Sequence, residues 1–318
     1  MQQSCIRVLF QGGGKMQGVA KLLRGAACLV LLALPVSPVQ AAVKVFVSIA
    51  PQKYFVQRLA GDLAEVSVLI PAGADPHTFE PKPKQMAALA KSAVYFAVGI
   101  DVEKAWLKKI AAANPKMRVV QTDDGIAKIP MASGKDEPHG SAAGPGGRGE
   151  DHRAHGGSLD PHVWLSPELV KIQAGHIFRA LVSVDPANRT RYEDGYRRFL
   201  GELDALHQEM RTLFAGRKGE RFMVFHPSWG YLADAYGLVQ VPVEAGGKEP
   251  KPAQLLRLVR EAREHGIKVI FVQPQFSTKS AELLSREIGG QAVYADPLAE
   301  NWAENLREVA RKFQAAAR

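Results

Sequence analysis

The sequence RYEDGYRRFLGELDALHQEMRTLFA, at positions 191–215, separates two halves of the chain that have a similar pattern. Its apolar residues recur at steps of three and four, the spacing of one face of an α-helix. At 1.5 Å per residue such a helix is about 38 Å long, enough to run along two lobes. The apolar positions are Tyr192, Tyr196, Phe199, Leu200, Leu203, Leu206, Met210 and Leu213. This stretch therefore predicts a long, rigid helix that joins two lobes.

On both sides of this helix, short β-branched or apolar runs alternate with amphipathic stretches of helical length. Strands are predicted at 44–49, 65–69, 94–98, 118–121, 222–225, 238–243, 269–272 and 291–294. Helices are predicted at 54–60, 84–91, 103–112, 166–183, 229–236, 252–265, 279–288 and 302–317. Such alternation is typical of α/β folds. We predict lobes at 42–185 and 216–318, each with a mainly parallel sheet flanked by helices, and the interlobe helix within 186–215.

The first 41 residues are typical of an export signal. Three basic residues precede an apolar run at 26–34, and small residues favour cleavage near Ala41. The run is shorter than the ~20 residues that span a bilayer, which disfavours the alternative of a membrane anchor. Both cysteines, Cys5 and Cys28, lie in this segment. We therefore expect the exported chain to bind any metal through histidine and carboxylate side chains.

Composition excludes several classes of protein. The chain has 318 residues and is 46% hydrophobic, which is enough for large cores and excludes a disordered protein. Lys and Arg number 41 against 32 Asp and Glu, a formal net charge of +9. The basic residues are interleaved with acidic ones and form no stripe, so we expect no nucleic-acid partner.

Residues 130–158 are rich in Gly, Pro, His and charged residues and have almost no large apolar side chain. Because this composition cannot offset the entropy of ordering by burial, it predicts a flexible loop. The loop carries His139, His152 and His155. Two interpretations stay open: a solvated linker, or an accessory arm that binds metal weakly and passes it to a stronger site.

Imidazoles and carboxylates recur beside prolines, mostly just past predicted strands. They are His77, His162, His226 and Asp296, within the sequences DPH, DPH, HP and DP. Ligands bind α/β sheets at the carboxyl ends of strands, so residues distant in sequence can converge there. A neighbouring proline restricts the backbone of the turn that carries each side chain. Three imidazoles and one carboxylate suit a borderline cation such as Zn²⁺ in tetrahedral geometry, so these turns are candidates for a metal site.

At these residues the sequence resembles the metal-specific solute-binding proteins of bacterial ABC importers, the zinc and manganese uptake receptors. The matching stretches are SIAPQ at 48–52, GADPHTFEP at 73–81, DPHVWLSP at 160–167, FHPSWGY at 225–231, QPQFS at 273–277 and DPL at 296–298. The resemblance implies a monomeric periplasmic receptor, without enzyme activity, that delivers Zn(II) to an ABC permease in the membrane. It also implies that the metal lies in the cleft between the lobes, with His77 and His162 as ligands from the first lobe and His226 and Asp296 as ligands from the second.

Other functions stay open at this point. A manganese receptor of the same family is disfavoured because its members tend to place a carboxylate where this chain has His226. A secreted zinc hydrolase would use the same ligands with Glu80 as general base, and a zinc-buffering adhesin would need no permease. The chain departs from many family members at Gln273, where an acidic residue is common, and we expect this difference to affect contacts around the ligands or between the lobes.

Overall fold

The first sheet has four parallel strands, in a computed structural model that describes residues 41–132, 158–244 and 247–316. Its strands are β1 (Val43–Val47), β2 (Ala64–Val68), β3 (Val94–Ala97) and β4 (Arg118–Gln121), in the order β2-β1-β3-β4. The helices of this lobe are α1 (Ala50–Ala60), α2 (Pro83–Leu89), α3 (Asp101–Ala113) and α4 (Pro167–Val184). The predicted export signal and most of the predicted loop at 130–158 lie outside the described residues.

The second sheet repeats this arrangement. Its strands are β5 (Arg221–Val224), β6 (Val239–Pro242), β7 (Val269–Val272) and β8 (Gln291–Tyr294), all parallel, in the order β6-β5-β7-β8. The accompanying helices are α6 (Gly230–Tyr236), α7 (Pro252–Glu264), α8 (Lys279–Ile288) and α9 (Trp302–Ala316). The predicted fold class, two α/β lobes with parallel sheets, is confirmed.

The long helix α5 (Arg189–Leu213) follows the first lobe and begins two residues before the predicted start at 191. It packs against α1 and α4 of the first lobe and against α9 of the second. Its inward face is apolar, as the spacing predicted. The buried side chains on this face include Tyr192, Phe199, Leu203, Leu206 and Met210. Burial against both lobes, and not helix propensity alone, accounts for its length.

The largest difference from the predicted helix starts is at α1, and the predicted start of α4 at 166 is one residue early. Helix α1 begins at Ala50 and not at 54, because the Gln52 side-chain oxygen accepts the backbone N–H groups of Ser48 (3.1 Å) and Ile49 (3.3 Å). These bonds satisfy donors that the first turn would leave free. Ser166 does precede α4, but its side chain makes no capping bond there, and Pro167 occupies the first helical position.

The lobes also contact each other directly through a tryptophan seam made by Trp164, Pro297 and Trp302. The Trp164 indole N–H donates to the Pro297 carbonyl at 2.7 Å, and the Trp302 indole N–H donates to the Trp164 carbonyl at 2.7 Å. Trp302 also packs edge-on to Phe55 of α1, with ring centroids 5.0 Å apart. One hydrophobic cluster consequently extends through both lobes.

The described part of the chain contains no helix that combines the length and the apolar composition needed to cross a bilayer.

Two glycines of α5 give a matched test of how closely this helix packs. A Cβ at Gly195 would lie 1.9 Å from the Leu59 carbonyl oxygen, whereas a Cβ at Gly201 would meet nothing within 4 Å. We expect Gly195→Ala to lower the free energy of unfolding by about 1–3 kcal/mol, because the backbone of α1 or α5 must move to make room for the Cβ. Gly201→Ala should raise it by about 0.5–1 kcal/mol. Urea unfolding measures both, and equal effects would contradict the close approach of α1 and α5.

Candidate metal centre

Three histidine turns lie at the edge of the sheets where the parallel strands end. His226 comes two residues after β5, and His77 lies in the irregular segment that follows β2. His162 directly precedes a short 3-10 turn before α4. In both Asp-Pro-His tripeptides the aspartate accepts the histidine backbone N–H, from His77 to Asp75 at 2.9 Å and from His162 to Asp160 at 2.8 Å. The repeated tripeptide therefore forms the same local hydrogen bond twice.

These turns bring three imidazoles together between the lobes. One ring nitrogen from each of His77, His162 and His226 lies within 4.8 Å of the other two. The Nε2 atoms of His77 and His226 are 3.2 Å apart, and the rings of His162 and His226 have centroids 5.3 Å apart. Zinc–nitrogen bonds of about 2.0–2.1 Å fit such a cluster with small adjustments of the rings. Two of the rings come from the first lobe and one from the second, so a bound metal would bridge them.

Each imidazole has a carboxylate at its Nδ1 atom. Asp160 accepts from His162 at 2.7 Å, Glu244 contacts His226 at 3.1 Å and Asp101 contacts His77 at 3.2 Å. An acceptor at Nδ1 holds the proton there and leaves the Nε2 lone pair free for a metal. Lys104 donates a hydrogen bond to Asp101 and lowers the pKa of that carboxyl, with a smaller contribution from His77.

The sequence analysis did not assign Asp101 or Glu244. Asp101 opens α3, and Glu244 follows β6 at the same edge of the second sheet as His226. An acidic residue just past a predicted strand was an available signal for Glu244. Neither Asp101 nor Glu244 has a proline neighbour, so neither shares the pattern of the predicted ligands.

Asp296, the fourth predicted ligand, is not in the group formed by the three imidazoles. It follows β8, and its Oδ1 atom accepts hydrogen bonds from Gln275 (3.0 Å) and from the Leu298 backbone (2.9 Å). Its neighbours Pro297 and Leu298 line the cleft that holds the imidazoles. The accessory residues His139, His152 and His155 lie outside the described residues.

The walls of the cleft are mostly apolar. His226 stacks on Phe276 with ring centroids 5.2 Å apart, and His162 meets Trp164 edge-on at 5.2 Å. The residues around the imidazoles are Pro76, Ile100, Asp101, Pro161, Trp164, Ser228, Gln275, Phe276, Pro297 and Leu298. Glu80, the general base of the hydrolase hypothesis, is exposed and is not among them. An apolar wall limits access of water and strengthens electrostatic interactions inside the cleft.

Gln273 fixes the backbone of the second-lobe histidine. It is fully buried, its side-chain oxygen accepts the His226 N–H at 3.0 Å, and its amide group donates to the His226 carbonyl at 2.6 Å. The same amide donates to Ser228 at 3.1 Å. A carboxylate here could accept the N–H but could not donate to the carbonyl. The departure from the family pattern therefore affects contacts around a candidate ligand, as expected.

Glu103, a buried acid that the sequence analysis did not single out, holds the segment between β3 and α3. It accepts hydrogen bonds from the Ser48 hydroxyl and from the backbone N–H groups of Val98 (2.9 Å) and Gly99 (2.7 Å). Removal from water raises the pKa of Glu103 to about 7, although these bonds lower it in part. This segment leads into Asp101, so Glu103 supports the carboxylate that contacts His77.

An imidazole cluster in the cleft between two α/β lobes defines a two-lobed binding protein with the donor set of a metal site. The comparisons with known proteins identify its family. Residues 45–316 match the family model described as "ZnuA: Zinc-uptake complex component A periplasmic", and the chain belongs to this family. The resemblance inferred from the quoted motifs is thereby confirmed.

Individual relatives agree with this assignment. The high-affinity zinc uptake system protein ZnuA of Bacillus subtilis (strain 168) is 30% identical over 243 residues, which cover 76% of this chain and 74% of that protein. A crystal structure of ZnuA matches with a TM-score of 0.77 and 40% identity, covering 87% of this chain and all of that one. A zinc-bound ZnuA deletion mutant matches with a TM-score of 0.76 and 41% identity, over 87% of this chain and 98% of that chain.

The raised pKa of Glu103 predicts a specific dependence of stability on pH. The folded chain holds a proton at Glu103 up to a pH of about 7, while the unfolded chain releases it near the ordinary pKa of 4.5. The stabilisation from this group is therefore complete below 4.5 and is lost as the pH rises through about 7. Urea unfolding of the metal-free protein at pH 5 and pH 8 measures it, with Glu103→Gln as the comparison.

Between pH 5 and pH 8, we expect the free energy of unfolding of the wild type to fall by about 2 kcal/mol more than that of Glu103→Gln. All other titrating groups are common to both proteins and cancel in the difference. Parallel pH profiles for the two proteins would contradict the shift.

Proposed function

We propose that this protein is a periplasmic receptor that captures Zn(II) in the cleft between its lobes and delivers it to an ABC permease. The observation that carries the proposal is the group of three imidazole nitrogens, one from each of three turns, within 4.8 Å of one another. Membership of the zinc-uptake family supports the same function. Capture needs no reaction, so the protein acts by binding and release and not as an enzyme.

The ligand set that we propose is His77, His162, His226 and Asp296. Three neutral nitrogens favour Zn²⁺ over the harder Mn²⁺, which prefers oxygen ligands. Asp296 stands beside cleft-lining residues of the second lobe, and its carboxylate is part-buried. Gln275 and the Leu298 backbone hold its Oδ1 atom, and neither of these bonds uses Oδ2. This shell of four protein ligands would close tetrahedral coordination.

The remaining features of the proposal concern export and assembly. Residues 1–41 act as a signal peptide that is cleaved near Ala41, and the exported protein works as a monomer. The lobes at 42–185 and 216–318 are joined by the helix within 186–215. His139, His152 and His155 form an accessory arm that binds zinc weakly and is separate from the tight site.

The other functions receive less support. A manganese receptor is disfavoured by the nitrogen-rich cluster. A zinc hydrolase needs a general base beside the metal and an open coordination position, and Glu80 does not line the cleft. An adhesin that buffers zinc without a permease differs in its genetic neighbourhood, because a transport receptor is expected beside permease and ATPase genes.

Removing any of the three imidazoles should weaken zinc binding by orders of magnitude. We expect this of His77→Ala, His162→Ala and His226→Ala, because each removes one of the few bonds that hold the ion. The dissociation constant is measured by competition with a chromophoric chelator. His265→Ala is the matched control, since His265 is exposed in the second lobe. Unchanged affinity in any one variant would reject that residue as a ligand.

Deleting residues 135–157 should leave one tightly bound zinc per chain. The two ends of the predicted loop meet in an antiparallel bridge between Pro130 and Leu159, and the Met131 N–H donates to the Ser158 carbonyl at 2.9 Å. A short turn can therefore close the gap. Elemental analysis after dialysis against mixed metals gives the stoichiometry. Loss of tight zinc in the deletion, with a folded protein by circular dichroism, would place part of the tight site in the arm.

A further inference from the structure

The three carboxylates behind the imidazoles differ in their surroundings. Asp160 is 1% exposed and Glu244 is 6% exposed. The Asp101 side chain is 52% exposed and also accepts a hydrogen bond from Lys104 at 2.8 Å. Water and a lysine therefore already compensate the charge of Asp101. The charges of the two buried carboxylates are screened much less.

Each buried carboxylate has one oxygen that no neighbour uses. Asp160 Oδ2 and Glu244 Oε2 are buried and have no hydrogen-bond partner among the described residues. Among the ion pairs formed within the described residues, Asp160 contacts only His162 and Glu244 only His226. A buried carboxylate without a compensating cation is unfavourable. Two such groups, one behind each of two facing imidazoles, leave a negative potential that a divalent cation in the cleft would relieve.

All three histidines have a hydrogen-bonded backbone N–H, but only His162 and His226 are buried. Asp160 Oδ1 accepts both the backbone N–H and the ring Nδ1 of His162, at 2.8 and 2.7 Å. Gln273 holds the N–H and the carbonyl of His226. By contrast, the His77 side chain is 33% exposed.

We propose that Asp160 and Glu244 are positioning residues that make His162 and His226 a preformed pair of ligands across the lobes. This inference deepens the proposed function and rests on it. The buried carboxylates direct the Nε2 lone pairs of the pair toward the cleft and supply negative charge for a divalent ion. Asp101 orients His77 with a charge that solvent and Lys104 already satisfy, so it contributes less to affinity.

Three isosteric variants test the proposal side by side: Asp160→Asn, Glu244→Gln and Asp101→Asn. Each removes one negative charge behind one imidazole and keeps an oxygen that can accept from Nδ1. We expect the zinc dissociation constant to rise about 10- to 100-fold for Asp160→Asn and for Glu244→Gln. Asp101→Asn should raise it less than about 3-fold. Glu264→Gln, the same chemical change at an exposed position of the second lobe, is the control.

Two further readouts separate positioning from general damage. Thermal melting of the metal-free variants reports folding, and the visible absorption spectrum of the Co²⁺ form reports the geometry of the ligands. We expect a changed Co²⁺ spectrum for the two buried carboxylates and an unchanged one for Asp101→Asn. If Asp160→Asn does not fold, the comparison of Glu244→Gln with Asp101→Asn carries the test alone.

The inference would be overturned if Glu244→Gln left the zinc dissociation constant unchanged. It would also be overturned if Asp160→Asn folded and left that constant unchanged. A third contrary result would be that Asp101→Asn weakens zinc binding as much as the milder of the other two variants does. These outcomes are distinct from failure of the proposed function, because they are measured against a wild type that binds zinc. A wild type that binds no zinc in the chelator assay would overturn both.

Discussion

The reciprocal hydrogen bonds of the tryptophan seam place the two lobes at a set distance beside the histidine turns. Trp164 lies two residues after His162, and its indole N–H donates to the carbonyl of Pro297, the residue after Asp296. The Trp302 indole N–H returns a bond to the Trp164 carbonyl. All three residues are buried. Pulling the lobes apart here would leave polar groups unpaired at about 1–3 kcal/mol each, and would also expose apolar rings. The imidazoles can therefore meet across the cleft without a large closure.

A receptor fixed in this way still has to admit and release its ion. With α5 packed on both lobes and the seam closed, movement is easiest in parts with few buried contacts. The segment at 71–82 has no regular secondary structure, and most of its side chains are exposed or half-buried. It carries His77, whereas His162 and His226 stand on buried turns. A local movement of the segment that carries His77 thus costs less free energy than rotation of a whole lobe.

Two regularities of the sequence, its periodic apolar pattern and its prolines beside histidines, predicted the fold and the imidazole cluster. Contacts that depend on tertiary structure were not predicted. Period and alternation decide where strands and helices lie, so both sheets and α5 were predicted to within a few residues. The early start of α1 depends on Gln52 folding back onto Ser48, which no local pattern shows. Proline beside histidine predicted the turns that meet. Asp101 was missed because its role exists only once α3 and the His77 turn are adjacent. Glu244 follows a predicted strand, but only the folded chain shows that it contacts His226.

A single carboxylate ligand would both influence which ion binds and compensate the charge of that ion. In this site the buried carboxylates behind the imidazoles compensate charge without contacting the ion. A carboxylate that binds a cation directly also brings an oxygen, which favours harder ions such as Mn²⁺. When the carboxylate acts through Nδ1 of an imidazole, the cation meets nitrogen while its charge is still partly compensated through the ring. Asp160 and Glu244 stand in this position, each buried and each with one oxygen unused. In the proposed ligand set the three nitrogen atoms select the type of ion, and the carboxylates behind them add to the charge compensation that Asp296 would give directly.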